Sequence, residues 1–245
     1  MESTVKFEHW GMTHFAPILI LIIGVILIVA FRESIRNFKY EPYIRKFSFV
    51  TMVGLELIFQ MRNIYLGPWT IQENLPFHLC NISAYLCIYL LLTNDKRVFP
   101  FIYFCGIIPA FLAILTPDLD YIFPHFNYFK YFITHMMIVW VGLYYLCIRK
   151  YVITTKSTIY TFAALCVIAV MMYILNTLTG SNYLYISGTP DSTTPLSYLG
   201  DFPWYIINLF IIAITVFTLL ASIFFKINKH KKDLQENEIH LKEKA

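Results

Sequence analysis

The sequence predicts an all-α integral membrane protein with seven transmembrane helices. Of its 245 residues, 58% are hydrophobic and only 14% are charged, whereas a soluble domain carries about a quarter charged residues. Seven apolar runs are long enough to cross the roughly 30 Å hydrocarbon layer of a bilayer. We place these spans near residues 12–31, 47–66, 76–93, 99–116, 129–149, 158–178 and 202–225.

The first run is expected to be a retained helix, because it is too long for a signal-peptide core and no small-residue cleavage site follows it. The later connections alternate in charge: three of them, at 67–75, 117–128 and 179–201, contain no Lys or Arg. Sixteen of the nineteen basic residues fall on the opposite side. The positive-inside rule therefore predicts an outside N-terminus and an inside C-terminus.

Two parts are expected along the chain. Residues 1–225 form the transmembrane domain, and residues 226–245 form a charged cytoplasmic tail. Basic residues between Lys229 and Lys232 are expected to contact anionic lipid.

Short patterns recur in the same order in the two halves of the chain. Asn74-x-Pro76 with Asn81 at the start of the third run matches Asp201-x-Pro203 with Asn208 at the start of the seventh. Thr13-His14 matches Thr134-His135, and Asn63 near the end of the second run matches Asn176 near the end of the sixth. We interpret this order as a 3+1+3 parallel repeat about an axis along the membrane normal.

Polar residues of the spans cluster toward the predicted outer face. Because such groups are costly in lipid, they normally face the bundle interior or a water-filled cavity. An outward-opening polar pocket is therefore predicted, lined by Glu56, Gln60, Asn63, His78, Asn81, His135, Asn176 and Asn208. Glu56 is the strongest functional candidate of these, since it lies near the bilayer centre. His14 is expected at the interface.

The stretch from Asn74 to Asn81 is the predicted centre of this pocket. Asn74 is a plausible N-cap and Pro76 suits a first helical turn, so His78 is expected in that turn beside the positive helix end. At 100° per residue, Asn81 then shares the face of His78, whereas Cys80 points about 200° away. His78 and Cys80 are therefore not expected to act as a pair.

This stretch, Leu75-Pro-Phe-His-Leu-Cys-Asn81, follows a helix with Glu56 and the Arg62-Asn63 pair. With these features the chain resembles the YwaF-like family of bacterial seven-helix membrane proteins, which is related to the eukaryotic transmembrane-protein-164 acyltransferase family of ether-lipid metabolism. In the eukaryotic branch a reactive cysteine directly precedes the matching histidine, and here that position is Phe77. The resemblance therefore implies a role for His78 but not a covalent cysteine mechanism.

Two functions fit these observations. The first is an acyltransferase or lipid-modifying enzyme in which His78 is a neutral base, oriented by Glu56 or His135. Its substrate would be bound by Gln60, Arg62, Asn63, Asn81, Asn176, Tyr205 and Asn208. The alternative is a small-solute transporter or sensor with Glu56 as a protonatable group, and a scaffold role is a third interpretation.

No metal or cofactor is expected, because the five cysteines lack CxxC spacing and no P-loop or HExxH motif occurs. The expected partner is membrane lipid, as solvent and as candidate substrate. No nucleic acid is expected, and protein partners are not predicted. A composition rich in Ile, Phe, Tyr, Lys and Asn is typical of an AT-rich bacterial genome and favours a bacterial plasma membrane.

Overall fold

The computed structural model describes residues 7–67, 69–119, 121–190 and 194–243, with side chains described as far as residue 227. Within these residues the chain is helical and contains no β-strand. We number the helices in chain order: α1 (Met12–Ala30), α2 (Arg32–Arg36), α3 (Glu41–Leu66), α4 (Leu79–Thr93), α5 (Phe99–Leu115), α6 (Phe126–Ile148), α7 (Thr155–Thr179) and α8 (Trp204–Glu243).

Each predicted apolar run coincides with a helix, and among the α-helices of the described residues only the short α2 has no predicted counterpart. Among the described residues, four helices are long and apolar enough to cross a membrane, namely α1, α6, α7 and the part of α8 up to Ile227. Helices α4 and α5 are apolar but shorter, and α3 is long but contains charged side chains. The chain is thus a multi-pass membrane protein, while the count of seven spans stays a prediction.

Helix α6 is the centre of the bundle and packs against α1, α3, α4 and α5. Small residues permit the close approach of its neighbours. A Cβ atom at Gly142 would lie 2.6 Å from Ile107 of α5, and one at Gly24 of α1 would lie 2.4 Å from the Trp140 ring. The indole of Trp140 also donates to the Leu21 carbonyl at 3.3 Å.

The connections meet at two opposite ends of the bundle. At the end that we call the basic end, Arg36 donates to the Ile148 carbonyl at 2.7 Å, and the Tyr151 hydroxyl donates to the Asn94 carbonyl at 2.7 Å. At the other end, the loop end, Gln72 donates to the Thr179 carbonyl at 2.8 Å. The first two bonds join basic connections, and the third joins two connections that lack Lys and Arg. Consecutive long helices therefore run in opposite directions.

Helices α7 and α8 form the edge of the bundle and are mostly exposed. Helix α7 begins with a capping box, in which Thr154 and Ser157 each accept the other's backbone N–H. It ends at Gly180, whose φ of 72° is a left-handed conformation that glycine adopts without strain. Helix α8 continues to Glu243, so the predicted tail begins as a helical extension. Lys229 to Lys232, expected to contact lipid, lie outside the described side chains.

Candidate functional site

A cavity of about 780 Å³ lies between the central helices and the α7–α8 edge. This volume is typical of ligand-binding pockets. Helices α3 to α8 line it, and the connections of the loop end lie across its mouth with Asp118, Tyr185 and Leu196. Most lining side chains are apolar. This differs from the predicted polar pocket, because the α7 and α8 faces contribute aliphatic and aromatic groups.

Three phenylalanines from different helices lie together where the cavity ends toward the basic end. The rings of Phe104 and Phe217 stack with their centroids 4.5 Å apart and their planes 9° apart. Phe162 contacts Phe217 edge to face at 5.2 Å. These rings form the floor of the cavity.

His78 lies at the mouth of the cavity and precedes the helix rather than lying in its first turn. Helix α4 begins at Leu79, and His78 is its N-cap residue with φ −68° and ψ 149°. Asn74 does not cap α4, because its side-chain oxygen accepts the backbone N–H of Thr70 at 2.9 Å. The first-turn prediction was therefore wrong by a few residues.

This shift in the helix start changes which side chains share a face. The spacing of 100° per residue does not apply to His78, since its backbone is extended. His78, Cys80 and Asn81 all line the same cavity. The prediction that Cys80 points away from the site was wrong for this reason.

Aromatic rings surround His78 at the loop end. Its imidazole lies 5.3 Å from the Tyr183 ring and 4.9 Å from the Tyr185 ring. The Nδ1 atom of His78 is buried and has no hydrogen-bond partner among the described residues. Burial raises the pKa of the Tyr183 phenol, so this hydroxyl stays protonated and donates to the Ile71 carbonyl.

His135 lies deeper in the cavity, on α6. Its Nδ1 atom lies 2.7 Å from the Tyr131 carbonyl oxygen, and its ring packs on the Tyr131 ring at 4.3 Å. A carbonyl can only accept, so Nδ1 holds the proton and Nε2 keeps a free lone pair in the neutral imidazole. The Tyr131 phenol donates to the Ala113 carbonyl at 2.9 Å, and Tyr131 lines the same cavity as Cys80.

Glu56 lies outside the cavity lining and is fully partnered. Its carboxylate lies 3.4 Å from the Lys130 ammonium and accepts hydrogen bonds from Gln60 at 3.0 Å and Tyr85 at 3.1 Å. Lys130 itself lines the cavity and also lies over the Phe59 ring at 4.2 Å. Glu56 therefore adjoins the site through Lys130.

The other predicted binding residues divide into two groups. Asn63 lines the cavity, and its buried Nδ2 has no partner among the described residues. The remaining five residues lie outside the cavity lining. Four of them contact other residues of the protein: Gln60 donates to the Asn74 carbonyl, Arg62 lies over the Phe126 ring, Asn176 bonds to the backbone of Tyr183, and Asn208 donates to the Leu199 carbonyl. The fifth, Tyr205, is buried. We grouped these residues because the sequence places them at similar depths in the membrane, but in the structure they do not line one surface.

His14 is a further difference from the expectation. It is fully buried rather than interfacial, and its Nε2 lies 2.8 Å from the Ile114 carbonyl. It joins α1 to α5 and does not line the cavity.

Sequence reasoning missed Lys130, Tyr131, Asp118, Tyr185 and the placement of Cys80. One available signal was Lys130, a single lysine at the start of a predicted span that could complement Glu56. The tyrosines carried no such signal, since the chain has 18 of them. Among the described residues, no group of three or more His, Cys, Asp or Glu side chains could hold a metal ion.

The helices and the cavity define a multi-pass α-helical membrane protein with an internal, mainly apolar cavity. The family model of the TMEM164 family matches residues 6–221. The chain therefore belongs to the TMEM164 family, which confirms the resemblance to the transmembrane-protein-164 proteins. No curated protein and no solved structure shows significant similarity to the chain.

Proposed function

We propose that this protein is a membrane acyltransferase that binds a lipid acyl chain in its internal cavity. The observation that supports this most is the shared cavity of Cys80 and His135, in which the Tyr131 ring packs on the His135 ring. A nucleophile, a base and a long apolar space are the parts that acyl transfer through a covalent intermediate needs.

His135 is the better placed general base of the two histidines. The hydrogen bond from Nδ1 to the Tyr131 carbonyl orients the ring and leaves Nε2 able to accept a proton. Cys80 is the proposed nucleophile. The other two cavity cysteines are less suitable, because Cys105 belongs to the buried core and Cys166 lies on α7 rather than at the start of α4.

The proposed reaction has two balanced steps. Nε2 of His135 takes the thiol proton of Cys80 while the sulfur attacks the ester carbonyl of a donor lipid. The ester C–O bond then breaks, the leaving oxygen takes the proton from His135, and the acyl group remains on Cys80 as a thioester. An acceptor hydroxyl then gives its proton to His135 and attacks the thioester carbonyl. The C–S bond breaks, the new ester leaves, and the Cys80 sulfur takes the proton back from His135.

The start of α4 supplies a site for the developing oxyanion. The first backbone N–H groups of a helix lack intrahelical partners and bind negative charge, and the side chain of His78 does not cap them. Cys80 lies in this first turn, so its carbonyl adduct would form close to these donors. We assign His78, with its unpartnered Nδ1, to the binding of the substrate's polar group at the mouth.

The experiment is acyl transfer by purified protein in liposomes, from a labelled phospholipid to a lysophospholipid. Cys80→Ala is expected to abolish transfer, and His135→Ala to slow it by about 10²- to 10⁴-fold. Cys166→Ala is the matched control, since it removes another cavity thiol, and should keep native activity. Transfer at the native rate by Cys80→Ala would overturn the proposal.

A transport function has less support. The cavity ends at the phenylalanine floor, so no path toward the basic end is seen among the described lining residues. Glu56, the protonatable group that the transporter interpretation uses, is already paired with Lys130. We infer no carrier path from these contacts.

We further infer that all seven long helices cross the membrane, with the loop end outside, in a bacterial plasma membrane. The charge alternation and the two opposite sets of connections support this arrangement. The 3+1+3 repeat stays part of this proposal and rests on the recurring sequence patterns.

A further inference from the structure

A second cavity of about 540 Å³, open along the exposed face of α7 and α8, lies between these helices on the basic side of the first one. Two residues, Phe162 and Phe217, line both cavities. Their rings contact edge to face at 5.2 Å, so this pair forms the partition between the two spaces.

The partition is held in place from the bundle core. Phe217 is only 5% exposed and stacks at 4.5 Å on Phe104, which is 1% exposed. Beyond the partition the lining includes small side chains, namely Ala163, Thr218, Ala221 and Ser222. The second cavity therefore adjoins the floor of the first.

We propose that Phe162 and Phe217 set the length of acyl chain that the protein accepts. This inference rests on the proposed function, in which the ester lies near Cys80 and the chain extends toward the floor. Burial of each additional methylene favours binding by about 0.8 kcal/mol, or about fourfold in affinity. That gain must stop at the length at which the methyl end meets the partition.

The test is equilibrium binding of lysophospholipids that differ only in acyl-chain length to the whole chain in nanodiscs. Affinity is expressed against the free aqueous lysophospholipid, and uptake by empty nanodiscs is subtracted. For the native protein we expect affinity to rise about fourfold per methylene and then level off. Phe217→Ala should move this limit to longer chains, because it opens the second cavity. Phe225→Ala is the matched control, since Phe225 lines only the second cavity, and it should leave the limit unchanged.

A second variant makes the result specific. Adding Ala221→Phe to Phe217→Ala refills the second cavity and should return the limit to its native position. If Phe217→Ala does not fold, Phe217→Leu opens the same partition at less cost and should give a smaller shift. An unchanged limit in the folded Phe217 variant would overturn the inference alone, whereas no saturable binding by the native protein would overturn the proposed lipid cavity itself.

Discussion

Lys130 and Glu56 connect α6 to α3 at the edge of the cavity. Their charged atoms lie 3.4 Å apart, and the side chains are only 12% and 18% exposed. Removal of one partner from such a pair leaves a largely buried charge, which costs about 3–5 kcal/mol. We therefore expect Lys130→Met to lower the free energy of unfolding in detergent by about 3 kcal/mol.

The double variant Lys130→Met with Glu56→Gln should regain most of that loss, because the amide keeps hydrogen-bonding capacity without a charge. Lys156→Met, at an exposed position, is the control and should unfold like the native protein. Equal destabilisation of the single and double variants would contradict an ion-pair origin.

Individual residues also show which features of the site could not be predicted from the sequence. The place of His78 and His135 in a pocket was predictable, because both are polar residues within apolar runs, and both line the cavity. Cys80 was assigned to the wrong face because a displacement of the helix start by about one turn takes His78 out of the helical periodicity. The hydrogen bond from Thr70 to Asn74 that removes the expected cap is a loop contact, and no sequence periodicity predicts it.

Among the secondary-structure elements, the contact between α5 and α6 depends on the absence of a side chain at Gly142. A Cβ there would lie 2.6 Å from Ile107, so Gly142→Ala is expected to lower the free energy of unfolding by about 1–3 kcal/mol through overpacking. Gly54→Ala in α3 is the matched control, because its Cβ would meet nothing within 4 Å. Chemical denaturation in detergent should show that this control is unchanged or stabilised by about 0.5–1 kcal/mol; similar loss in both variants would contradict the packing argument.

Most element positions could be predicted because a long apolar run in a membrane protein has no stable alternative to a helix. Their ends and internal geometry could not. Helix α3 begins at Glu41, several residues before its apolar run, and α5 contains a π-helical segment at Ile102–Ile107. Both helices pack against α4 and α6, and hydropathy does not encode this packing.

For the whole molecule, we predict opposite accessibility of the two ends. Ser187 is exposed at the loop end and Lys156 at the basic end. With a membrane-impermeant maleimide on intact cells, Ser187→Cys should label and Lys156→Cys should not, because the positive-inside rule places the basic end in the cytoplasm. Permeabilised cells should label both variants, and the native protein gives the background of its own cysteines. The reverse pattern would contradict the orientation.

The cavity is the property that the sequence predicted least well. A convergence of polar groups was expected, but the site combines a polar mouth with a long apolar interior. Its mouth depends on contacts between distant connections, such as the hydrogen bond from Tyr185 to Asp118 at 2.9 Å. Such long-range loop contacts have no local pattern, whereas the helices around them do.

The central claim is that Cys80 accepts an acyl group inside this cavity. The most direct measurement is intact-mass and peptide mass spectrometry of the protein, quenched in acid during incubation with a donor phospholipid. We predict an adduct with the mass of the donor's acyl chain, located on Cys80, removed by hydroxylamine and absent from Cys80→Ala. No adduct during measurable transfer, or an adduct on Cys166 instead, would contradict the account.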